Sequence, residues 1–107
     1  MIYLDHLLSA TKGILHYPGK QQHFDTFSHD TRQLIPGEMF VAVRGEHGNG
    51  HDYLLDAVHR GATGLLVEAR YITSLSQEAQ ATLEQAGIST ILVEDTRIAL
   101  QQYAHAI

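Results

Sequence analysis

Three stretches of the 107-residue chain are continuously apolar: Met39–Val43 (MFVAV), Gly64–Glu68 (GLLVE) and Ser89–Glu94 (STILVE). Each has the length and β-rich composition of a strand buried on both faces. Between and after them the apolar positions fall three and four apart, the spacing of one helix face. Leu54, Leu55 and Val58 mark one such helix, and Leu75, Ala79 and Leu83 a second. Ala99, Leu100, Tyr103, Ala104 and Ile107 mark a third. Gly61 and Gly87 are placed to stop the first two. Ser74, with Gln77 three positions on, reads as the cap of the second, and Asp95 or Thr96 as the cap of the third. Residues 39–106 thus alternate strand and helix, which predicts an α/β domain: a mostly parallel sheet flanked by helices. The first part of the chain is less regular. Leu4, Leu7 and Leu8 predict a short helix over Leu4–Ala10 with Gly13 as its stop, followed by a strand near Ile14–His16. FDTFS (24–28) is a second short strand. HDTRQLIPGE then forms a polar loop ending in the turn signal Pro36-Gly37.

Length confines the chain to a single domain, residues 1–107. With 7 Lys+Arg against 12 Asp+Glu the formal charge is −5, which argues against the basic face a nucleic-acid binder needs. The absence of cysteine excludes disulfides, thiol catalysis and cysteine zinc sites. No run approaches the roughly 20 apolar residues of a membrane span, and the N-terminus has no basic n-region of a signal peptide. A cytoplasmic protein without membrane or nucleic-acid partners is expected.

Candidate chemistry sits in two loops. In open α/β sheets ligands bind beyond the carboxyl ends of the strands. After the first core strand that loop is Arg44-Gly45-Glu46-His47-Gly48-Asn49-Gly50-His51. Its glycines would let backbone amides approach a ligand, and a helix starting near Asp52 would add free N–H groups and a positive dipole end. Arg44, His47 and His51 would add cationic donors. Such a loop suits a diphosphate; it is equally the form of an ordinary turn between strand and helix. The second candidate is Ser28-His29-Asp30-Thr31-Arg32. There Arg32 would pair with an anion and Thr31 would donate to a base or sugar oxygen, unless Asp30 and Arg32 simply form an Asx-type turn on the surface.

Several motifs are excluded. GxxxxGK[ST] occurs nowhere, the spacing of Gly45, Gly48 and Gly50 is not the dinucleotide fingerprint, and HExxH is absent. His29, His47 and His51 remain conceivable metal ligands only if the fold brings them together. The other five of the 8 histidines are scattered. An interaction module with an inert glycine turn, and a metal enzyme using those three histidines, are the competing readings.

The order of motifs carries a resemblance. Ser28–Arg32, Ile35–Glu46 (IPGEMFVAVRGE), Gly50–Tyr53 (GHDY), Ala57, Gly61-Ala62, Val93–Thr96 (VEDT) and Ala99-Leu100 resemble, block by block, the N-terminal domain of the Mur ligases. These are ATP-dependent amide-bond ligases of bacterial cell-wall precursors. The likeness covers about residues 24–107. Its wording is most similar to ligases that add D-alanyl-D-alanine to a UDP-muramoyl-tripeptide. Ligases that add the third residue of the peptide have a closely similar first domain.

The resemblance implies a domain that holds the uridine diphosphate end of a UDP-N-acetylmuramoyl-peptide. Carried over by position, it places His29 and Thr31 against the uridine, with Arg32 and Asp30 beside them. Glu46, His47 and Gly48 would line the diphosphate side, with Asn49, Gly50 and His51 completing the loop. Asn49 departs from the aspartate usual before Gly-His. The family's phosphate loop for ATP lies beyond this point. The resemblance therefore implies no cofactor and no catalysis in this chain alone, with ATP and Mg2+ serving the full-length ligase and its remaining domains in cis.

Overall fold

The three apolar runs form the middle of one five-stranded sheet. In a computed structural model, which describes residues 1–46 and 48–106, β5 (Met39–Val41), β8 (Gly64–Glu68) and β9 (Ser89–Val93) lie side by side and parallel, Met39 opposite Gly64 and Gly64 opposite Ser89. β4 (Phe27–Ser28) extends the sheet in parallel beyond β5, and β2 (Ile14–Tyr17) closes the other edge antiparallel to β9. The strand order is β2-β9-β8-β5-β4, a mostly parallel sheet as expected. Two small antiparallel pairs lie outside it. β1 (Ile2–Tyr3) pairs with β3 (His23–Phe24), and β6 (Arg44–Gly45) with β7 (Gly48–Asn49).

Strand alternation sorts the core into two layers. Met39, Val41, Leu66, Ile91 and Val93 point toward α1 (Leu4–Thr11) and α5 (Thr96–Ala106), where Leu4, Leu7, Ala99 and Tyr103 meet them. Phe40, Leu65 and Val67 point the other way, toward Leu54 and Ala57 of α2 (Leu54–His59), Ile72 of α3 (Ala69–Ile72) and Leu83 of α4 (Gln77–Gln85). The two helical crossovers, β5 to β8 through α2 and β8 to β9 through α3 and α4, run over this second face, and because β4, β5, β8 and β9 are parallel their carboxyl ends share one edge. Among the described residues no helix is long and apolar enough to cross a membrane.

Local expectations shift at four places. FDTFS (24–28) is not one strand: Phe24 ends β3 and Phe27 begins β4, in different sheets. α4 is capped by Ser76, whose Oγ accepts the Ala79 N–H at 3.1 Å, and not by Ser74. The short α3 takes up the chain after β8, and Ser74 donates back to the Tyr71 carbonyl. Lys12, not Gly13, holds the left-handed turn that ends α1, with φ 56°. Of the α5 stripe, Ala99 and Tyr103 are buried and Leu100 half-buried, Ala104 is exposed, and Ile107 lies outside the described residues.

Candidate functional site

The glycine-rich stretch after β5 is not an open phosphate nest. It doubles back as the β6–β7 hairpin, Arg44 opposite Asn49 and Gly45 opposite Gly48, and runs into a 3-10 turn, Gly50–Tyr53, before α2. Gly50 crosses close over the end of β5. Its N–H donates to the Val43 carbonyl at 2.9 Å, and a Cβ there would stand 2.8 Å from the Val43 nitrogen and 3.0 Å from Ala42 Cα. The glycine lets backbone approach backbone, where the sequence pattern expected backbone to approach a ligand. Gly50→Ala is expected to cost about 1–3 kcal/mol, measured as a lower denaturant midpoint. An unchanged midpoint would mean the hairpin is not pinned to β5 in this way.

One of the amides expected to be free is also taken. The Asn49 side-chain oxygen accepts the His51 N–H at 3.0 Å, capping the 3-10 turn, and lies 2.7 Å from His51 Nδ1. At the start of α5 the Thr96 N–H donates to Glu68 and the Arg97 and Ile98 N–H groups to Asp95. The start of α5, with its first three amides paired, is not an empty anion cradle.

His51 itself corrects the expectation of a cationic donor. Only 4 % exposed, its ring stacks on Tyr71 at 4.3 Å, and its Nε2 accepts the Glu68 backbone N–H at 2.9 Å. With Nε2 an acceptor, Nδ1 carries the proton and donates to Asn49, so the ring is neutral. Burial pushes its pKa down to about 4, helped by Arg44 and Arg70 against the pull of Glu68 and Asp52. His51 is a buried brace that ties the 3-10 turn to the end of β8. Asn49 suits that role, since a neutral amide accepts the Nδ1 proton without drawing a second one onto the ring.

Beside this brace lies a buried carboxylate that the sequence reading missed. Glu68, 1 % exposed, accepts Arg44 Nε at 2.8 Å and Arg70 Nη2 at 3.2 Å on Oε1. Its Oε2 accepts the Thr96 N–H at 3.1 Å. Burial alone would raise its pKa, but Arg44, the Thr96 N–H and Arg70 outweigh it and hold it below the ordinary carboxylate range. The Thr96 hydroxyl completes the junction by donating to the Ala42 carbonyl at 2.7 Å. β5, β6, β8 and α5 are thereby joined at one point.

The two candidate loops do converge. An open cleft of about 700 Å³ at the carboxyl edge of β4 and β5 is lined by His29, Asp30, Thr31 and Arg32 on one side and by Gly45, Glu46, Gly48, Asn49 and Gly50 on the other. Phe40 and Val43 form its floor, and Tyr53 and Arg97, which were not anticipated, complete its walls. His51 and Arg44 do not line it, and His47 lies outside the described residues.

Within the cleft, Arg32 presents its fork to Asp30, Nε to Oδ1 at 3.1 Å and Nη2 to Oδ2 at 2.9 Å, and its backbone N–H caps the same carboxylate. Arg32 thereby pulls the Asp30 pKa down to about 2. This is the Asx-type turn, and it shapes the loop. Thr31 is buried with its hydroxyl beside Asp56, whose pKa it helps to lower. Toward a ligand the hydroxyl can donate or accept. Glu46 is exposed and, as a carboxylate, accepts N–H or O–H groups and repels phosphate. Among the described residues no group of three His, Asp or Glu side chains could hold a metal ion.

A family described as "Mur ligase family, catalytic domain" matches residues 23–107. The chain is 36 % identical over 81 residues to the UDP-N-acetylmuramoyl-tripeptide–D-alanyl-D-alanine ligase of Treponema pallidum, covering 76 % of this chain and 17 % of that protein. It is 38 % identical over 73 residues to the UDP-N-acetylmuramoyl-L-alanyl-D-glutamate–2,6-diaminopimelate ligase of Chlorobium phaeobacteroides, covering 68 % and 12 %. The fold matches a UDP-N-acetylmuramoylalanyl-D-glutamyl-2,6-diaminopimelate–D-alanyl-D-alanyl ligase from Acinetobacter baumannii with TM-score 0.72 and 25 % identity, over 94 % of this chain and 20 % of that one. The chain thus spans no more than about a fifth of these relatives.

Proposed function

This chain belongs to the Mur ligase family, and on that premise we propose that its cleft holds the uridine diphosphate end of a UDP-N-acetylmuramoyl-peptide. The chain is then the N-terminal substrate-binding domain of an ATP-dependent ligase of peptidoglycan synthesis, working in the cytoplasm. The observation that carries this reading is the cleft, which gathers the polar loop after β4 and the hairpin after β5 on one edge of the sheet. The half-exposed Tyr53 ring offers a flat face on which a base can stack. Thr31 and Glu46 offer acceptors, and the Asn49 side-chain NH2 offers donors, for uracil and ribose.

The 107 residues contain no GxxxxGK[ST] loop. ATP, Mg2+ and the chemistry of amide-bond formation are accordingly assigned to the remaining domains in cis. D-alanyl-D-alanine addition is the favoured activity of the whole ligase. The likeness to the diaminopimelate-adding ligase supports third-residue addition as the alternative. The cleft does not choose between them, because both relatives' substrates begin with the same UDP-N-acetylmuramoyl group.

Calorimetric titration tests the reading. UDP is expected to bind the chain weakly, at concentrations up to millimolar, and ADP much more weakly. Equal heats for the two nucleotides, or none for UDP, would contradict it. Thr31→Val keeps the side-chain shape and removes the acceptor. It is expected to weaken UDP and uridine binding alike by several-fold, while circular dichroism shows the fold retained. A variant that unfolds, or that binds as tightly as the parent, would place Thr31 in the scaffold alone.

A further inference from the structure

Resting on the uridine diphosphate reading of the cleft, we propose that Arg97 is the residue that binds the diphosphate. A diphosphate needs donors or positive charge, and most of the groups expected to supply them are committed elsewhere. The amide of His51 is capped by Asn49, and those at the start of α5 by Glu68 and Asp95. Arg32 is forked onto Asp30. Arg44 faces Glu68 and Asp95 away from the cleft.

Arg97 differs from these. It stands in the first turn of α5, at the carboxyl end of β9, and lines the cleft on the same side as Gly45, Gly48 and Asn49. Its Nη2 donates to the Arg44 carbonyl at 2.7 Å, which fixes the guanidinium against the β6–β7 hairpin. Among the described residues it enters no salt bridge, and its other guanidinium N–H groups have no acceptor. A fixed fork with spare donors on the wall of an open cleft is the geometry for a phosphate oxygen pair. The opposite wall, with Thr31 and Tyr53, is left for the nucleoside. A Cβ at Gly48, which also lines the cleft, would meet nothing within 4 Å, so the hairpin leaves open space at that point of the wall.

The test compares UDP with uridine on the parent chain, Arg97→Gln and Arg97→Lys. Arg97→Gln is expected to lower UDP affinity about tenfold or more while leaving uridine affinity unchanged, and to flatten the salt dependence of UDP binding. Arg97→Lys should recover part of the loss. If Arg97→Gln binds UDP as the parent does, or loses UDP and uridine equally, the assignment to Arg97 is overturned and the cleft reading stands. If the parent binds neither UDP nor uridine, the cleft reading itself fails, and this assignment with it.

Discussion

Truncating Glu68 to alanine is expected to cost the fold about 3 kcal/mol, read as a drop in the denaturant midpoint at constant slope. Breaking a buried ion pair from one side typically costs about 3–5 kcal/mol. The lower figure applies here because Arg44 and Arg70 are 41 % and 58 % exposed and can regain water. The Thr96 N–H, by contrast, is buried and loses its acceptor. Glu68→Gln keeps one accepting oxygen but sets its NH2 against either the guanidinium groups or the Thr96 N–H, so it should also destabilise, by less than the alanine. The loss should reach the cleft as well, since Glu68 holds both Arg44 at the root of the β6–β7 hairpin and the start of α5, where Arg97 sits. A Glu68→Ala variant within about 1 kcal/mol of the parent would show that the junction is replaceable by water.

Acid should act first through His51. Its folded pKa, about 4, lies below the ordinary 6.5. As the pH falls the unfolded chain therefore binds the proton before the folded one does. The stabilisation is fully present above about pH 6.5 and is lost between about 6.5 and 4. At about 1.36 kcal/mol per pKa unit the loss approaches about 3 kcal/mol. Unfolding free energy measured from pH 7 to 4.5 should fall steadily. His51→Gln, whose side-chain oxygen can still accept the Glu68 N–H, should start less stable but show a flatter profile over that range. A parent profile that is flat from pH 7 to 4.5, or a variant with the same slope, would contradict the assignment of a neutral buried ring.

The sign also bears on ligand binding. If His51 were a cationic anchor for diphosphate, binding would strengthen as pH falls through the range near 6.5. With both ring nitrogens engaged by Asn49 and the Glu68 amide, His51 contributes no such rise.

The parts of the fold that could be read from sequence are those fixed by local pattern. GLLVE at 64–68 becomes a strand with those bounds because every position is buried on one face or the other. Leu75 and Ala79 are half-buried and Leu83 buried, as their four-residue spacing requires. Gly61 and Gly87 stand at φ 97° and 72° just past the helices they end. Ser74 and Ser76 could not be told apart, since either offers a hydroxyl near a helix start. The choice was made by α3, a four-residue helix too short to leave a periodic signal.

The site was legible as two loops but not as a set of contacts. Gly45, Gly48 and Gly50 announce an unusual backbone path. Their spacing does not say whether amides will face a ligand or, as here, each other and β5. Asp30 and Arg32 sit two apart, and their pairing is local enough to have been foreseen as the Asx-type alternative. The roles of His51, Glu68 and Arg97 depend on partners 17 to 53 residues away, and no motif carries that information. Two faint signals were present. Glu68 is a charged residue closing an otherwise apolar strand, and Arg97 follows the carboxyl end of a parallel strand, where ligands gather.

The most direct measurement of the central claim is a UDP titration of the isotopically labelled chain followed by backbone amide chemical shifts. The cleft reading predicts saturable shifts concentrated in residues 28–32 and 44–53 and around Arg97, with the α1 and α4 amides unmoved. Shifts centred elsewhere on the domain, or no shifts up to millimolar UDP, would contradict it.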